Sequence, residues 1–432
     1  MTSPHRALPA LLPVLALVGS AAAQPMVAVR AGRLVDVERG EVRRDQVVLV
    51  RGERIERIQP GSERIPEGAR VIDLSRHTVV PGLIDCHTHL VDQIQSAGSG
   101  GPLEKSGAQQ AFLGARHAHL TLLAGFTTVR DVGTWRVFVD AALRDAIEEG
   151  IVTGPRMAVA GTYITTSRGA GDLTGIAPDV GLPPDMRAGI ADSAAEVRKR
   201  VRELLNGGAD FIKIMATGAV LTRGTRPGVS EFSEEEMRAA VEEAAKYGAR
   251  VTAHAHGAEG IKNAVRAGVR SIEHGSLIDD EGIRLMKERG IYLVADIYDA
   301  EYIRQGKAVG IPSDFAAKQP EADEIQRQNF QKAVRAGVRI AFGTDASVYP
   351  HGLNARQFAW QVRYGQTPID AIRSATVRSS ELLRMERQIG TIEPGKFADV
   401  IAVEGNPLQD IGALSHVSFV MKAGQVYKAP HP

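Results

Sequence analysis

The chain has 432 residues, enough for one large domain or two smaller ones, and its composition, 44% hydrophobic and 24% charged, is that of a globular protein. A formal net charge of +1 gives no electrostatic reason to expect nucleic acid or an anionic membrane as a partner. Aromatic residues at 5% are too sparse for a stacking surface, and the lone Cys86 excludes an intramolecular disulfide.

In chain order, Arg6, the apolar run Ala7–Gly19 and the small residues Ser20–Ala23 before Gln24 read as a secretory signal peptide, residues 1–23. The run is short of the ~20 apolar residues of a membrane span and holds Pro9 and Pro13. The expected location is therefore secreted or periplasmic, with a soluble mature protein.

Residues 24–80 alternate apolar and polar positions, with strand-like segments at Val27–Val29, Gly32–Val35, Val47–Val50 and Ile55–Ile58. Residues 388–432 carry the same signature at Gly390–Ile392, Ala398–Val403 and Val417–Met421. Each end is too short for its own core, so the two are expected to form one small β-sandwich. Between them, over 81–387, helices at 193–206, 233–247, 258–267, 280–289 and 322–336 alternate with short apolar strands at 211–214, 250–253, 271–273, 292–295 and 340–342. Ala-Gly-Val closes two of those helices, at 267–269 and 336–338. Repeated βα units predict an α/β fold with a parallel barrel or doubly wound sheet, and no Gly-x-Gly-x-x-Gly supports a dinucleotide fold.

His87 and His89 lie two apart in an apolar strand, so both side chains face one side and can share a divalent ion. His117 and His119 share the spacing within a helical stretch, where it makes them diverge by ~200°. Lys213 sits inside the strand Phe211–Met215, where an unpaired ammonium is costly. His254, with His256 two residues on, His274 and Asp345 each end an apolar strand, the place where parallel barrels carry their sites.

Pro81–His89, Gly125–Asp131, Ala253–Gly257, Ser271–Gly275, Gly343–Asp345 and Gly390–Val400 together resemble the amidohydrolase superfamily, in its Xaa-Pro dipeptidase (prolidase)-like and ochratoxin-hydrolysing branch. The resemblance implies a (β/α)₈ TIM barrel and two divalent metal ions, normally zinc. His87, His89 and Asp345 would hold the more buried ion. His254 and His274 would hold the other, and Lys213, carboxylated by CO₂, would bridge both. A hydroxide shared by ions ~3.5–4 Å apart would attack the carbonyl, with Asp345 also the catalytic acid/base. Thr344 and Asp131 are candidates for orienting the histidines.

Relatives in this branch cut an amide bond to a C-terminal amino acid, in dipeptides, N-acyl amino acids or ochratoxin A, and form homo-oligomers, often octamers. His256, Tyr163, Arg168 and Tyr298 are candidates for the substrate carboxylate. Ser167–Asp172 departs from the Gly-Gly-His-Gly loop of prolidase-like relatives, which disfavours proline and leaves room for an aromatic leaving residue. The alternatives are a Xaa-Pro dipeptidase, a cyclic amide or lactone hydrolase, a mononuclear deaminase or a non-catalytic binding protein. A deaminase would not need Lys213, and Glu259 lies too far along the chain for its pattern. A binding protein would have lost ligands that are all present here.

Overall fold

A computed structural model describes residues 25–93, 101–304 and 320–430. The expected signal peptide lies outside these residues. Among the described residues no helix is long and apolar enough to cross a membrane.

Four strands open the chain: β1 (Met26–Asp36), β2 (Glu41–Arg51), β3 (Arg54–Pro60) and β4 (Arg70–Pro81). Nine short ones follow: β5 (Leu83–Thr88), β6 (Phe126–Asp131), β7 (Arg156–Val159), β8 (Tyr163–Ile164), β9 (Ile212–Met215), β10 (Val251–Gly257), β11 (Ser271–Leu277), β12 (Tyr292–Val294) and β13 (Arg339–Ile340). Three close it: β14 (Val400–Val403), β15 (Val417–Lys422) and β16 (Gln425–Lys428).

The two ends of the chain meet as expected, but in a different form. Hydrogen bonding joins their strands into one seven-stranded sheet, in the order β16-β15-β14-β4-β1-β2-β3, where a two-sheet sandwich was expected. β4 is the seam. It pairs parallel with β1 and antiparallel with β14. The alternation of side chains decides what each face buries. Val400 and Ala402 pack with Val29, Val48, Leu74 and Phe419 in the sheet's own core. Ile401 and Val403 point the other way, onto Phe126, Phe342 and Phe358 of the central domain. Gly390–Ile392, expected as a strand, is a loop in which Gly390 takes φ +94°.

β5 to β7 and β8 to β13 form two parallel sheets. They are linked on one side where Asp210 N donates to Val159 O at 2.8 Å. On the other, the segment after β13 runs along β5: Cys86 N donates to Phe342 O at 2.8 Å, and Thr88 bridges Ala346 in parallel. The arrangement is consistent with a TIM-barrel-type domain of mixed α/β content. Its strands read as unbroken apolar runs because both faces are covered. All seven residues of β10 are buried.

The helices at 194–206, 234–245, 258–267, 280–289 and 320–336 match the expected ones within a few residues. Ser193, Ser233 and Asp279 cap three of them through their side chains. Gly268 at φ +97° closes the fourth, turning the chain into β11. Because the strands pair in parallel, their C-terminal ends all reach the same mouth of the barrel.

Candidate metal centre

The imidazoles of His87 and His89 converge with the Asp345 carboxylate at that mouth. Their Nε2 atoms lie 3.4 and 3.2 Å from Asp345 Oδ1. Asp345 reaches them because Asp345 N donates to His87 O at 2.9 Å across the seam between the first and last strands. A second cluster unites His254, His256 and His274, with ligand atoms within 4.8 Å of one another, and His274, Asp296 and Asp345 form a third. All of these side chains are buried, as is Lys213.

Four of the rings are aimed by a partner on Nδ1, while His254 Nε2 lies 3.4 Å from Gly218 O. His87 Nδ1 meets Glu273 Oε2 at 2.9 Å, and His89 Nδ1 donates to Gly133 O at 2.8 Å. His274 Nδ1 meets Asp296 Oδ2 at 2.7 Å, and His256 Nδ1 meets Ser276 Oγ at 2.8 Å. Where Nδ1 donates to a carboxylate or carbonyl oxygen, as in His87, His89 and His274, Nε2 is left free of its proton, whereas the Ser276 hydroxyl can donate to His256 Nδ1 and leave a proton on that ring's Nε2. Gly133 is required for its part. Its φ is +123°, and a Cβ there would fall 2.7 Å from the Tyr163 ring.

Neither expected orienting residue touches a histidine ring. Thr344 Oγ1 donates to Asp85 Oδ2 at 2.6 Å, and Asp85 in turn accepts from His87 N at 3.1 Å. Asp131 Oδ2 accepts from Leu90 N at 2.5 Å. Both hold backbone beside the ligands. Rings are oriented instead by Glu273 and Asp296, which the sequence reading passed over.

Glu273 is wholly buried and saturated. It accepts from Arg130 Nη2 at 2.8 Å and Ser271 Oγ at 2.7 Å, and also from Thr252 Oγ1. Burial alone would raise its pKa, but the Arg130 guanidinium holds the carboxyl well below the ordinary value.

Burial likewise opposes ionisation of Asp345, yet the His87 ring and then His89 keep it well below the usual carboxylate range. Desolvation pushes the His87 ring down to about 4 and the Lys213 ammonium down to about 8. His256 is driven to about 3 by burial, reinforced by His274, so it stands neutral at physiological pH. The neutral rings of His87 and His256, a carboxylate and a readily deprotonated lysine are donor states that suit a divalent cation, while His89 is held, against burial, above the ordinary imidazole value by its contact with Asp345.

The residues fit a cation on a further observation. Asp345 Oδ1 is buried without a hydrogen-bond partner, although two ring nitrogens lie beside it. A cation at that point would satisfy it. Two of the converging residues are also held in left-handed backbone, His274 at φ +71° and Asp345 at φ +51°. Such conformations cost on the order of 1 kcal/mol or more and gather at functional sites.

Of the four residues expected to meet a substrate carboxylate, two line the cavity, His256 and Tyr163. The Tyr163 hydroxyl is spent on Gly133 O, at 3.2 Å, behind His89. Arg168 is exposed, in a left-handed turn, and does not line the cavity. Tyr298 is buried with its hydroxyl bound by Arg356 Nη1 at 3.0 Å, and also stands apart from it. Ala170, in the loop expected to differ from prolidases, does line the cavity, so a methyl group faces it there. The remaining wall is largely apolar, with Trp135, Met215, Leu221, Pro227, Leu277 and Ile303. His117 and His119 fall on the helix 107–123 as expected, and His117 stacks on His351 at 4.3 Å.

The Ala170 loop hangs on Glu231, which accepts from Ala170 N at 2.8 Å and whose carboxyl burial pushes up to about 7. An acid with a raised folded pKa stabilises the fold least when ionised. Stability from this group is therefore lost as pH rises from ~4.5 to ~7. Glu231→Gln is expected to gain ~2 kcal/mol over wild type between pH 5 and pH 8. Denaturant titrations at the two pH values measure this, and an unchanged difference refutes it.

The Amidohydrolase family model matches residues 78–428, a span that includes every residue of these clusters. The chain belongs to the amidohydrolase family. It is a hydrolase acting on amide bonds, with histidine and aspartate clusters that could bind metal. This amidohydrolase is 34% identical over 371 residues to the ochratoxinase of Aspergillus niger, covering 82% of this chain and 76% of that protein. Among solved structures, a Xaa-Pro dipeptidase with bound methionine in the active site superposes with a TM-score of 0.89 at 39% identity, covering 94% of this chain and 100% of that one. The A. niger ochratoxinase structure gives 0.83 at 31%, covering 94% and 96%.

Proposed function

We propose that this amidohydrolase is a binuclear metal-dependent enzyme that cleaves the amide bond to a C-terminal amino acid with an apolar side chain. The observation that carries the reading is the joining, in one cavity, of the His87, His89, Asp345 cluster and the His254, His256, His274 cluster, with Lys213 in the same lining and a wall of Trp135, Met215, Leu221, Leu277 and Ile303.

In this reading His87, His89 and Asp345 would hold one ion and His254 and His274 the other, and Lys213, as a carbamate, would supply anionic oxygen ligands. The amine must be neutral to take up CO₂, and a pKa near 8 supports that. Bound, two divalent ions, zinc by the preference of imidazole, would acidify a water toward neutral pH and polarise the scissile carbonyl. Asp345 receives the proton and returns it to the leaving nitrogen. His256, being neutral, offers the substrate carboxylate a hydrogen bond from its ring rather than a charge. The buried walls exclude water from the acyl group.

Two families of substrate suit the cavity. Ochratoxinase acts, by its name, on ochratoxin, and the similarity supports N-acyl-phenylalanine substrates. The methionine held by the Xaa-Pro dipeptidase supports apolar leaving residues more broadly, and that protein's name keeps Xaa-Pro as the second reading. Export after signal cleavage and assembly into a homo-oligomer belong to the same proposal.

The test combines plasma-emission metal analysis with hydrolysis of a panel of Xaa-Pro, Xaa-Phe, Xaa-Met and N-acyl-Phe compounds, cyclic amides and lactones. About two ions per chain and preferred cleavage of Xaa-Phe, Xaa-Met or N-acyl-Phe are expected. Protein without metal, or activity confined to lactones and cyclic amides, overturns the proposal.

A further inference from the structure

The opposite mouth of the barrel holds a second cavity of about 330 Å³. Phe211, Arg250 and Arg270 stand immediately before β9, β10 and β11, so this cavity lies at the strands' N-terminal ends, away from the metal centre. Its rim carries three arginines, Arg250, Arg270 and Arg384, and Arg130 lines it from inside.

The charges there are not balanced. The single carboxylate in the lining, Asp210, is already engaged, accepting from Arg144 Nη1 and from Val159 N at 2.9 Å each. Arg270 bonds a backbone carbonyl, that of Glu381, at 3.4 Å and stacks on Tyr292. Arg384 Nη1 likewise donates to a carbonyl, Gly248 O, at 3.2 Å. Among the described residues none of the three rim guanidinium groups forms an ion pair. Like charges gathered round a concave surface repel one another unless an anion joins them.

The rest of the lining sets the shape of such a ligand. Phe211, Val251, Leu382 and Leu383 give apolar walls. Thr252 and Arg130 form the inner end, and both bond the Glu273 carboxylate that holds His87.

We propose that this cavity is a binding site for a small oxyanion carrying an apolar body, a phosphate monoester or carboxylate. Guanidinium groups present paired donors that match either oxyanion, and each charged hydrogen bond so formed contributes well beyond a neutral one. The assignment does not depend on which amide the enzyme cleaves.

Calorimetric titration of the full-length, metal-replete protein at low ionic strength tests it, using phenyl phosphate, benzoate and inorganic phosphate. Phenyl phosphate or benzoate should bind saturably, inorganic phosphate more weakly for want of apolar contact, and added salt should weaken all three. The stronger of the two aromatic ligands tells a phosphate ester from a carboxylate. Arg250→Ala/Arg384→Ala should weaken binding about tenfold or more while leaving amide hydrolysis and circular dichroism unchanged. Arg384→Ala alone, with a smaller loss, serves where the double variant misfolds. No saturable binding of either aromatic anion, or equal affinity in wild type and variants, overturns the proposal.

Discussion

Asp345→Asn is expected to lower kcat/KM for the preferred amide by ~10³-fold or more. The substitution is nearly isosteric, and asparagine tolerates the left-handed backbone at φ +51° as well as aspartate does. The fold should survive it. What disappears is the negative charge between His87 and His89, whose Nε2 atoms lie 3.4 and 3.2 Å from Oδ1. An amide there is a poorer ligand and takes up no proton, so positioning of the metal and the proton path fail together. Steady-state kinetics beside metal analysis and circular dichroism measure the effect. A variant within tenfold of wild type removes Asp345 from the mechanism.

The second large effect is expected at a residue that touches no substrate. Glu273→Gln should weaken metal retention by ~10–100-fold and destabilise the fold by ~3–5 kcal/mol. Arg130, buried with Glu273 as its partner, would keep its charge in an apolar surround with no counterion. The glutamine oxygen would face the three donors Arg130, Ser271 and Thr252, which turns its amide N–H toward His87 Nδ1. A donor facing Nδ1 drives the imidazole proton to Nε2, the atom the metal needs. Chelator competition and urea denaturation report the two effects separately. Wild-type metal retention would show that Glu273 acts on stability alone.

Why Glu273 stayed hidden in the sequence while His87 did not is a matter of range. His87 and His89 declare themselves through a period of two within an apolar strand. His254, His274, Lys213 and Asp345 are conspicuous because polar residues interrupt or end apolar strands. Those signals are local, and the structure brings all six residues together. Glu273 reads locally as one more polar residue before His274. Its meaning comes from Arg130, 143 residues earlier, and His87, 186 residues earlier. Asp296 likewise takes its meaning from distant partners, His274 and Asp345.

The lining of the cavity was legible only in part. Arg168 and Tyr298 have suitable groups, but loop direction decides whether such groups face the cavity, and nothing local sets it. The alternation of helix and strand was plain because caps and glycines such as Gly268 mark each end. The sheet was less so: β4 carries polar residues such as Asp73, Ser75 and Arg76, and shows itself only once β1 and β14 flank it.

That flanking has a consequence for how the chain is made. Pro81, the last residue of β4, leaves the ribosome ~320 residues before Val400, the first of β14. At ordinary rates of synthesis the gap is on the order of tens of seconds. Through that time Thr78–Pro81 presents an open strand edge, with Val79 and Val80 among its residues. An edge of that kind recruits other chains. The amidohydrolase thus closes only when its last few dozen residues arrive, and a nascent chain that stalls before them carries an adhesive seam.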